Sequence, residues 1–241
     1  MSGIFLVAKR DFAAYVNTLW GWAILALALL IDGLFFNVFA LTNAARYSAE
    51  VLETFFYVTA GITLAASIFV TMRLFAEERQ TGTIVLLESS PLSEFQMVMG
   101  KYLGGMMFIF AFSLLTSFMP AMIFINGKVS NEEIAVGYLG IWLLGSAGVA
   151  IGTWASAMAR NQLLAGVVAT VATVFFVACW MLARVLDPPF KAVISYVAFF
   201  DRHFQGFQEG RINTEAIVFF LTVTVAFLLF ATRTLTARRW E

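Results

Sequence analysis

The sequence predicts an all-α integral membrane protein with six transmembrane helices. Of its 241 residues, 61% are hydrophobic and only 12% are charged, and the mean hydropathy is +0.87. About a quarter of the residues in a soluble domain are charged, so this chain has too little polar surface to cover itself in water. Six apolar segments approach or exceed the ~20 residues that a helix needs to cross a bilayer. They are Trp20–Leu41, Phe55–Leu74, Tyr102–Ile125, Ile134–Ala157, Leu163–Ala183 and Ala216–Thr232.

Residues 1–17 favour an amphipathic helix that lies on the membrane surface. The charged residues from Lys9 to Asp11 interrupt the apolar pattern, which is not typical of a cleavable signal. A polar leader before the first span is the alternative. The expected apolar face consists of Ile4, Phe5, Ala8, Phe12 and Tyr15.

An even number of spans places both termini on one side of the membrane. If that side is cytoplasmic, nine basic residues lie inside and six outside, in the direction of the positive-inside rule. The inside residues are Lys9, Arg10, Arg73, Arg79, Lys101, Arg160, Arg233, Arg238 and Arg239. Both termini are therefore expected in the cytoplasm, in a single domain covering residues 1–241.

Two connections, residues 76–100 and 185–214, are long enough for structure of their own. In the inner one, Thr83–Glu88 predicts a short helix or turn that Pro91 stops. Ser93 and Gln96 form a capping box that opens the third helix, and Ser130 with Glu133 does the same for the fourth. Asn161 is placed to cap the fifth helix. From these residues alone, the inner segment is either a docking element or a turn at the membrane surface.

The inner segment, with the pattern EERxxGTxxLLxxSPxSxxxxxxGKYLG, resembles the signature loop of type-2 ABC transporter permeases, which have the type V exporter fold. Over the whole chain, the pattern is most similar to the gliding-motility-associated and copper-processing subfamilies. Later pieces of it are Tyr138-Leu139-Gly140, Arg160-Asn161-Gln162, His203-Phe204 and Arg238-Arg239-Trp240.

This resemblance implies a subunit of an exporter in a bacterial inner membrane. The short helix between spans two and three would be a coupling helix seated on a cytoplasmic ABC ATPase, present in two copies, which would bind the ATP and Mg. A second permease subunit, identical or different, would complete the transporter, and membrane lipid would surround it. The residues implied in ATPase coupling are Glu77, Glu78, Arg79, Gly82, Thr83, Leu86, Leu87, Ser90 and Pro91.

Several function classes find little support in the sequence. The P-loop pattern GxxxxGK[ST] does not occur, so we expect no ATP site and no enzymatic activity in this chain. Cys179 and His203 are the only residues of their types, so we expect no metal site and no bound cofactor. The net charge of zero argues against a nucleic-acid partner.

Asp32 is the one ionisable residue well inside a predicted span. Because a charge in the bilayer is costly, its carboxyl should face protein or water. It either lines a translocation path, together with Asn37 one turn away, or packs at a helix contact beside Gly33 as a protonated or hydrogen-bonded group.

The outer connection, residues 185–214, is interrupted and aromatic. Pro188 and Pro189 prevent the fifth helix from continuing through it. The resemblance implies short re-entrant helices near the exit, whereas aromatic composition alone favours helices on the membrane surface.

Two other functions fit a bundle with these features. One is a scaffold that does not transport but passes ATP-driven motion to a machine of the cell envelope. The other is an ATP-independent channel or carrier, although a carrier usually holds several ionisable groups near the mid-membrane.

Overall fold

The computed structural model describes residues 3–40, 47–85, 89–126, 129–187 and 190–238, and within these ranges the chain is helical and contains no strand. The helices are α1 (Gly3–Val16), α2 (Leu19–Phe35) with a π-helix (Phe36–Ala40), α3 (Ser48–Thr71), α4 (Ala76–Gln80), α5 (Glu94–Thr116), α6 (Phe118–Asn126), α7 (Asn131–Met158), α8 (Gln162–Val185), α9 (Phe190–Val197), a second π-helix (Phe199–Phe204), α10 (Gln205–Gln208) and α11 (Thr214–Arg238).

Among the residues that the structure describes, six helical stretches are long and apolar enough to cross a membrane, which agrees with the six predicted spans. In chain order they are Leu19–Val38, Ser48–Gln80, Glu94–Ile125, Asn131–Met158, Gln162–Val185 and Thr214–Arg238. The second and third spans extend beyond their predicted ends, because the polar turns at those ends are also helical. We therefore treat the chain as a multi-pass membrane protein.

The predicted helix starts are confirmed at three spans. Ser93 Oγ accepts a hydrogen bond from the Gln96 N–H at 3.3 Å, and the Ser93 N–H donates back to the Gln96 side chain at 3.1 Å. Ser130 and Glu133 form the same reciprocal pair. Asn161 Oδ1 accepts from the Leu164 N–H at 2.8 Å. These bonds satisfy backbone donors that have no partner within the helix.

Helix α7, the fourth span, is the centre of the bundle and packs against α3, α5, α8 and α11. Its small residues allow the close approach of α3. A Cβ added at Gly148 would lie 2.6 Å from Ser67 Oγ, and one added at Gly152 would lie 2.7 Å from Thr71 Cβ. The glycine spacing therefore serves packing within one subunit.

The connection between the fifth and sixth spans packs into the bundle at one part and remains exposed at another. Phe199, Phe204 and Phe207 are fully buried, whereas α9 contributes no buried residue and lies against α8. Pro188 and Pro189 lie outside the described residues. Whether α9 enters the bilayer or rests on its surface remains a prediction.

Helix α1 and the last turn of α11 lie at one end of the bundle, which we call the α1 end. Arg10 contacts Glu78 in α4, Arg79 contacts the end of α7, and Arg238 donates to the carbonyl of Met158. The two ends of the described chain therefore meet at the same end of the bundle.

Candidate functional site

Helix α4, at the α1 end, begins where a side chain from a distant helix caps it. Ser156 Oγ, in α7, accepts hydrogen bonds from the backbone N–H groups of Phe75 at 3.0 Å and Ala76 at 3.1 Å. The first turn of a helix has no internal partners for such groups. The start of α4 is therefore attached to the fourth span.

Arg79 attaches the other side of α4 to the hinge between the fourth and fifth spans. Its Nη1 donates to the carbonyl oxygens of Ala157 at 2.6 Å and Ala159 at 2.7 Å. These carbonyls lie at the carboxyl end of α7, where a helix carries unpaired acceptors and partial negative charge. A guanidinium group suits that position in both hydrogen bonding and charge.

Glu78 and Asp11 share a buried cation, the ammonium group of Lys101. The side chain of Lys101 is 2% exposed, and its Nζ lies 3.0 Å from Glu78 Oε1 and 3.2 Å from Asp11 Oδ2. Nζ also donates to the carbonyl of Leu74 at 2.6 Å and lies 5.0 Å from the centre of the Phe75 ring. Lys101 therefore joins α1, α4 and the third span at one point.

Arg10 contacts the same two carboxylates from the more exposed side. Its Nη2 lies 2.9 Å from Asp11 Oδ1 and 2.7 Å from Glu78 Oε1. Partial burial by itself would lower the pKa of Arg10, but the two carboxylates outweigh it and raise that pKa above its usual value. We call Arg10, Asp11, Glu78 and Lys101 the ion-pair network.

A polar cavity of about 310 Å³ lies beside this network, between α1 and the start of the inner segment. Glu77, Arg73 and Thr83 line it. Glu77 pairs with Arg73 at 2.7 Å, one turn earlier, and its side chain remains 40% exposed. The second carboxylate oxygen of Glu78, Oε2, is buried with no hydrogen-bond partner among the residues that the structure describes.

The turn after α4 is exposed. Gly82 has φ +74°, a left-handed conformation that favours glycine, and Thr81 and Thr83 share a hydrogen bond of 2.9 Å across it. Ser90 is half-buried and Pro91 is exposed. Leu86 and Leu87, which the resemblance also implies in ATPase coupling, lie outside the described residues.

Helix α1 has the predicted bounds to within two residues, and one of its faces packs into the bundle. Val7, Ala8, Asp11 and Tyr15 are buried, while Phe5, expected on the apolar face, is 49% exposed. The face of α1 that packs into the bundle contacts α5. It includes Asp11, because the cation that pairs with Asp11, Lys101, lies inside the bundle.

Glycines in α5 allow α1 to pack closely against it. A Cβ added at Gly100 would lie 2.6 Å from Val7 Cβ, and one added at Gly104 would lie 3.1 Å from Asp11 Cβ. At the next turn of α1, Tyr15 donates to the carbonyl of Val70 at 2.7 Å. Burial raises the pKa of the Tyr15 hydroxyl, so that it stays a donor.

Sequence reasoning missed the roles of Asp11 and Lys101. The local signal was present: each is a single charge on a helix face whose neighbours at helical spacing are apolar or glycine. Their pairing was not visible, because 90 residues separate them along the chain.

Asp32 is completely buried at the contact between α2 and α3. Thr59 Oγ1 donates to its Oδ1 at 3.0 Å. Asn37, in the first π-helix, is exposed, so the structure does not bring these two candidates together in one buried site. Asp32 belongs to a helix contact, and the ion-pair network is elsewhere in the bundle.

A groove of about 940 Å³ runs between the second and fifth spans. Its walls are apolar and include Ile68, Phe69 and Val167, and its α1 end carries the polar residues Gln80 and Asn161. The first and fifth spans are the least buried of the six. Apolar side chains therefore cover a broad outer face that includes this groove.

Within the described ranges, no group of three or more His, Cys, Asp or Glu side chains is arranged to hold a metal ion. His203 is engaged elsewhere: its Nε2 bonds the Tyr196 carbonyl at 2.8 Å, and its ring stacks on Phe219 at 3.8 Å.

Comparison with known proteins assigns no family: no protein-family model matches the chain, and no curated protein sequence matches it significantly.

Proposed function

We propose that this chain is the membrane-spanning permease subunit of an ATP-driven ABC transporter that works as an exporter. A separate ATPase subunit hydrolyses ATP, and the inner segment, residues 77–91, couples it to the spans. The observation that carries the proposal is the attachment of α4: Ser156, Arg79 and Lys101 join this short helix to the third and fourth spans and to α1.

The attachments support a coupling role because they connect α4 to different spans. The second span continues directly into α4. Arg79 bonds to the hinge before the fifth span. Lys101, which lies in the third span, bonds to the carbonyl of Leu74 just before α4. A displacement of α4 cannot leave these partners in place without breaking charge-assisted hydrogen bonds, which are about twice as strong as neutral ones.

The partner would dock on the surface that these contacts leave exposed. That surface consists of Glu77, the Thr81–Thr83 turn and Pro91. Glu78 and Arg79 act inside the subunit in this proposal and transmit the motion to the spans. This division of roles refines the coupling assignment, because the sequence resemblance treats the three charged residues alike.

In this proposal, the groove between the second and fifth spans forms one half of the substrate path, and a second permease subunit forms the other half. Its apolar wall and polar α1 end suit a molecule with an apolar part. A second permease subunit facing the groove would close it, and movement of the second span at α4 would change its width. In this orientation, the α1 end and both termini lie in the cytoplasm of a bacterial cell, at the inner membrane.

Co-purification tests the proposal. The tagged chain, extracted in mild detergent, should retain an ATP-hydrolysing subunit whose activity depends on Mg. Thr83→Trp adds bulk to the exposed turn without removing an ion pair, and should weaken retention at least about tenfold, or 1.4 kcal/mol of binding free energy.

The matched control is Thr214→Trp, at an exposed threonine of the opposite end, which should retain the partner fully. If the native chain retains no ATPase, or if the two variants behave alike, the proposal fails.

A further inference from the structure

The carboxyl group of Asp32 has an unusual environment for a group that can carry a charge. It lies in the first span and is fully buried. Thr59 Oγ1 donates one hydrogen bond to Oδ1 at 3.0 Å, whereas Oδ2 is buried with no hydrogen-bond partner among the described residues. One oxygen is therefore stabilised and the other is not.

The surroundings of Asp32 offer little else to stabilise a negative charge. The cleft around it is lined by Phe35, Phe36, Phe55, Val58 and Thr54, and it is too narrow for a water molecule. In the described part of the chain, Asp32 takes part in no ion pair, in contrast to Asp11.

The titratable groups of α3 and α7 do not supply a cation, and in α1 and α5 the cations Arg10 and Lys101 pair with Asp11 and Glu78. Tyr138, in α7, interacts electrostatically with Asp32, but it is a neutral phenol whose hydroxyl lies 3.4 Å from Thr116 Oγ1. The first π-helix and α6 contain no ionisable side chain, and the acids of α3, Glu50 and Glu53, precede Thr59 by at least six residues.

A carboxylate buried with one neutral donor and no cation is strongly disfavoured relative to the neutral acid. The neutral acid matches the observed geometry better, because Oδ1 can accept from Thr59 while Oδ2 carries the proton. The π-helix that begins four residues later adds a second unusual feature, since π-helical segments are frequent at functional sites.

We propose that Asp32 is a proton-binding site within the membrane region. Its carboxyl holds a proton while α2 and α3 are packed as in this structure, and loss of that proton weakens their contact. The ligand is a proton and not a metal ion, because one carboxyl and one hydroxyl in a cleft without room for water are too few ligands for a cation. This inference does not depend on the proposed transport function.

Infrared spectroscopy of the full chain in lipid nanodiscs tests the protonation state. Isotope-labelled aspartate restricts the shifted carbonyl bands to four residues, Asp11, Asp32, Asp187 and Asp201. At neutral pH, the wild type should show a protonated carboxylic acid band that Asp32→Asn lacks. Gly33→Ala is the control and should keep the band, since the added methyl would meet Met119 Cε at an ordinary 3.5 Å.

A titration tests the role of the single donor. Thr59→Val removes the hydrogen bond that helps the ionised form, so the midpoint for loss of the acid band should move upward by about one pH unit. If Asp32→Asn does not fold, the labelled wild type and Thr59→Val still decide the question.

Three results would overturn the proposal. The first is an acid band that no variant at Asp32 removes, or only carboxylate bands at neutral pH. The second is a midpoint that Thr59→Val leaves unchanged or lowers. The third is a midpoint that shifts when sodium replaces choline, which would indicate a cation site.

Discussion

Lys101 Nζ lies 3.0 Å from Glu78 Oε1, in a position where the lysine side chain is 2% exposed. The bond joins the third span to the short helix that follows the second span. The same ammonium group also neutralises Asp11 of α1 at 3.2 Å. Three separate stretches of the chain thus contact one buried cation.

Lys101→Met should destabilise the protein by about 1–3 kcal/mol, because Asp11 and Glu78 lose a buried hydrogen-bonded cation and keep only Arg10. Thermal unfolding in detergent measures the loss. Lys191→Ala, at an exposed lysine, is the control and should stay within about 0.5 kcal/mol of the wild type. Adding Glu78→Gln to Lys101→Met should recover part of the lost stability, because it removes the charge that Lys101 neutralises. If stability is not recovered, the Lys101–Glu78 pair does not stabilise the protein through its charges.

Gly152→Ala should destabilise the bundle by about 1–3 kcal/mol, the usual cost of overpacking. The new methyl would lie 2.7 Å from Thr71 Cβ, so α3 and α7 would have to move apart. Gly61→Ala is a matched control on α3, because nothing lies within 4 Å of its added Cβ. That control should gain up to about 1 kcal/mol from helix propensity, and equal losses in the two variants would contradict the packing argument.

Ser156→Ala should release the start of α4. Ser156 Oγ accepts hydrogen bonds from the buried backbone N–H groups of Phe75 and Ala76. Leaving these donors unpaired costs about 1–3 kcal/mol. Hydrogen exchange should rise locally at residues 75–80. Ser195→Ala, in α9, which has no buried residue, should leave exchange in that segment unchanged.

His203 should make stability depend on pH. Burial lowers its pKa below the usual value, because the folded environment disfavours the charged imidazolium. The unfolded chain therefore binds the proton more readily, and stability should be fully present above the ordinary pKa of about 6.5 and fall as the pH drops below it. Melting temperatures across this range measure the effect.

His203→Phe keeps the stacking on Phe219 but cannot bind a proton. The difference in melting temperature between wild type and variant should therefore change as the pH falls below about 6.5. A difference that stays constant across that range would show that His203 does not titrate in this way.

Local patterns in the sequence were enough to predict the spans and their starts. A bilayer requires a minimum apolar length, and a helix start requires a side-chain acceptor within three or four residues. Both requirements act over short distances, so the six spans and the caps at Ser93, Ser130 and Asn161 could be predicted without a fold. The helix of the third span begins at Glu94, directly after the capping residue Ser93, whereas hydropathy alone placed the start of this span at Tyr102.

The tertiary structure alone decided which charges face inward. The sequence by itself predicted six helices that are long and apolar enough to cross a membrane, and it indicated that Asp32 needs a protected position. It did not determine that Asp11 turns toward Lys101, or that Thr59 reaches Asp32. A buried ionisable group needs a partner within hydrogen-bonding distance, and here such partners lie 27 residues away along the chain for Asp32 and 90 residues away for Asp11.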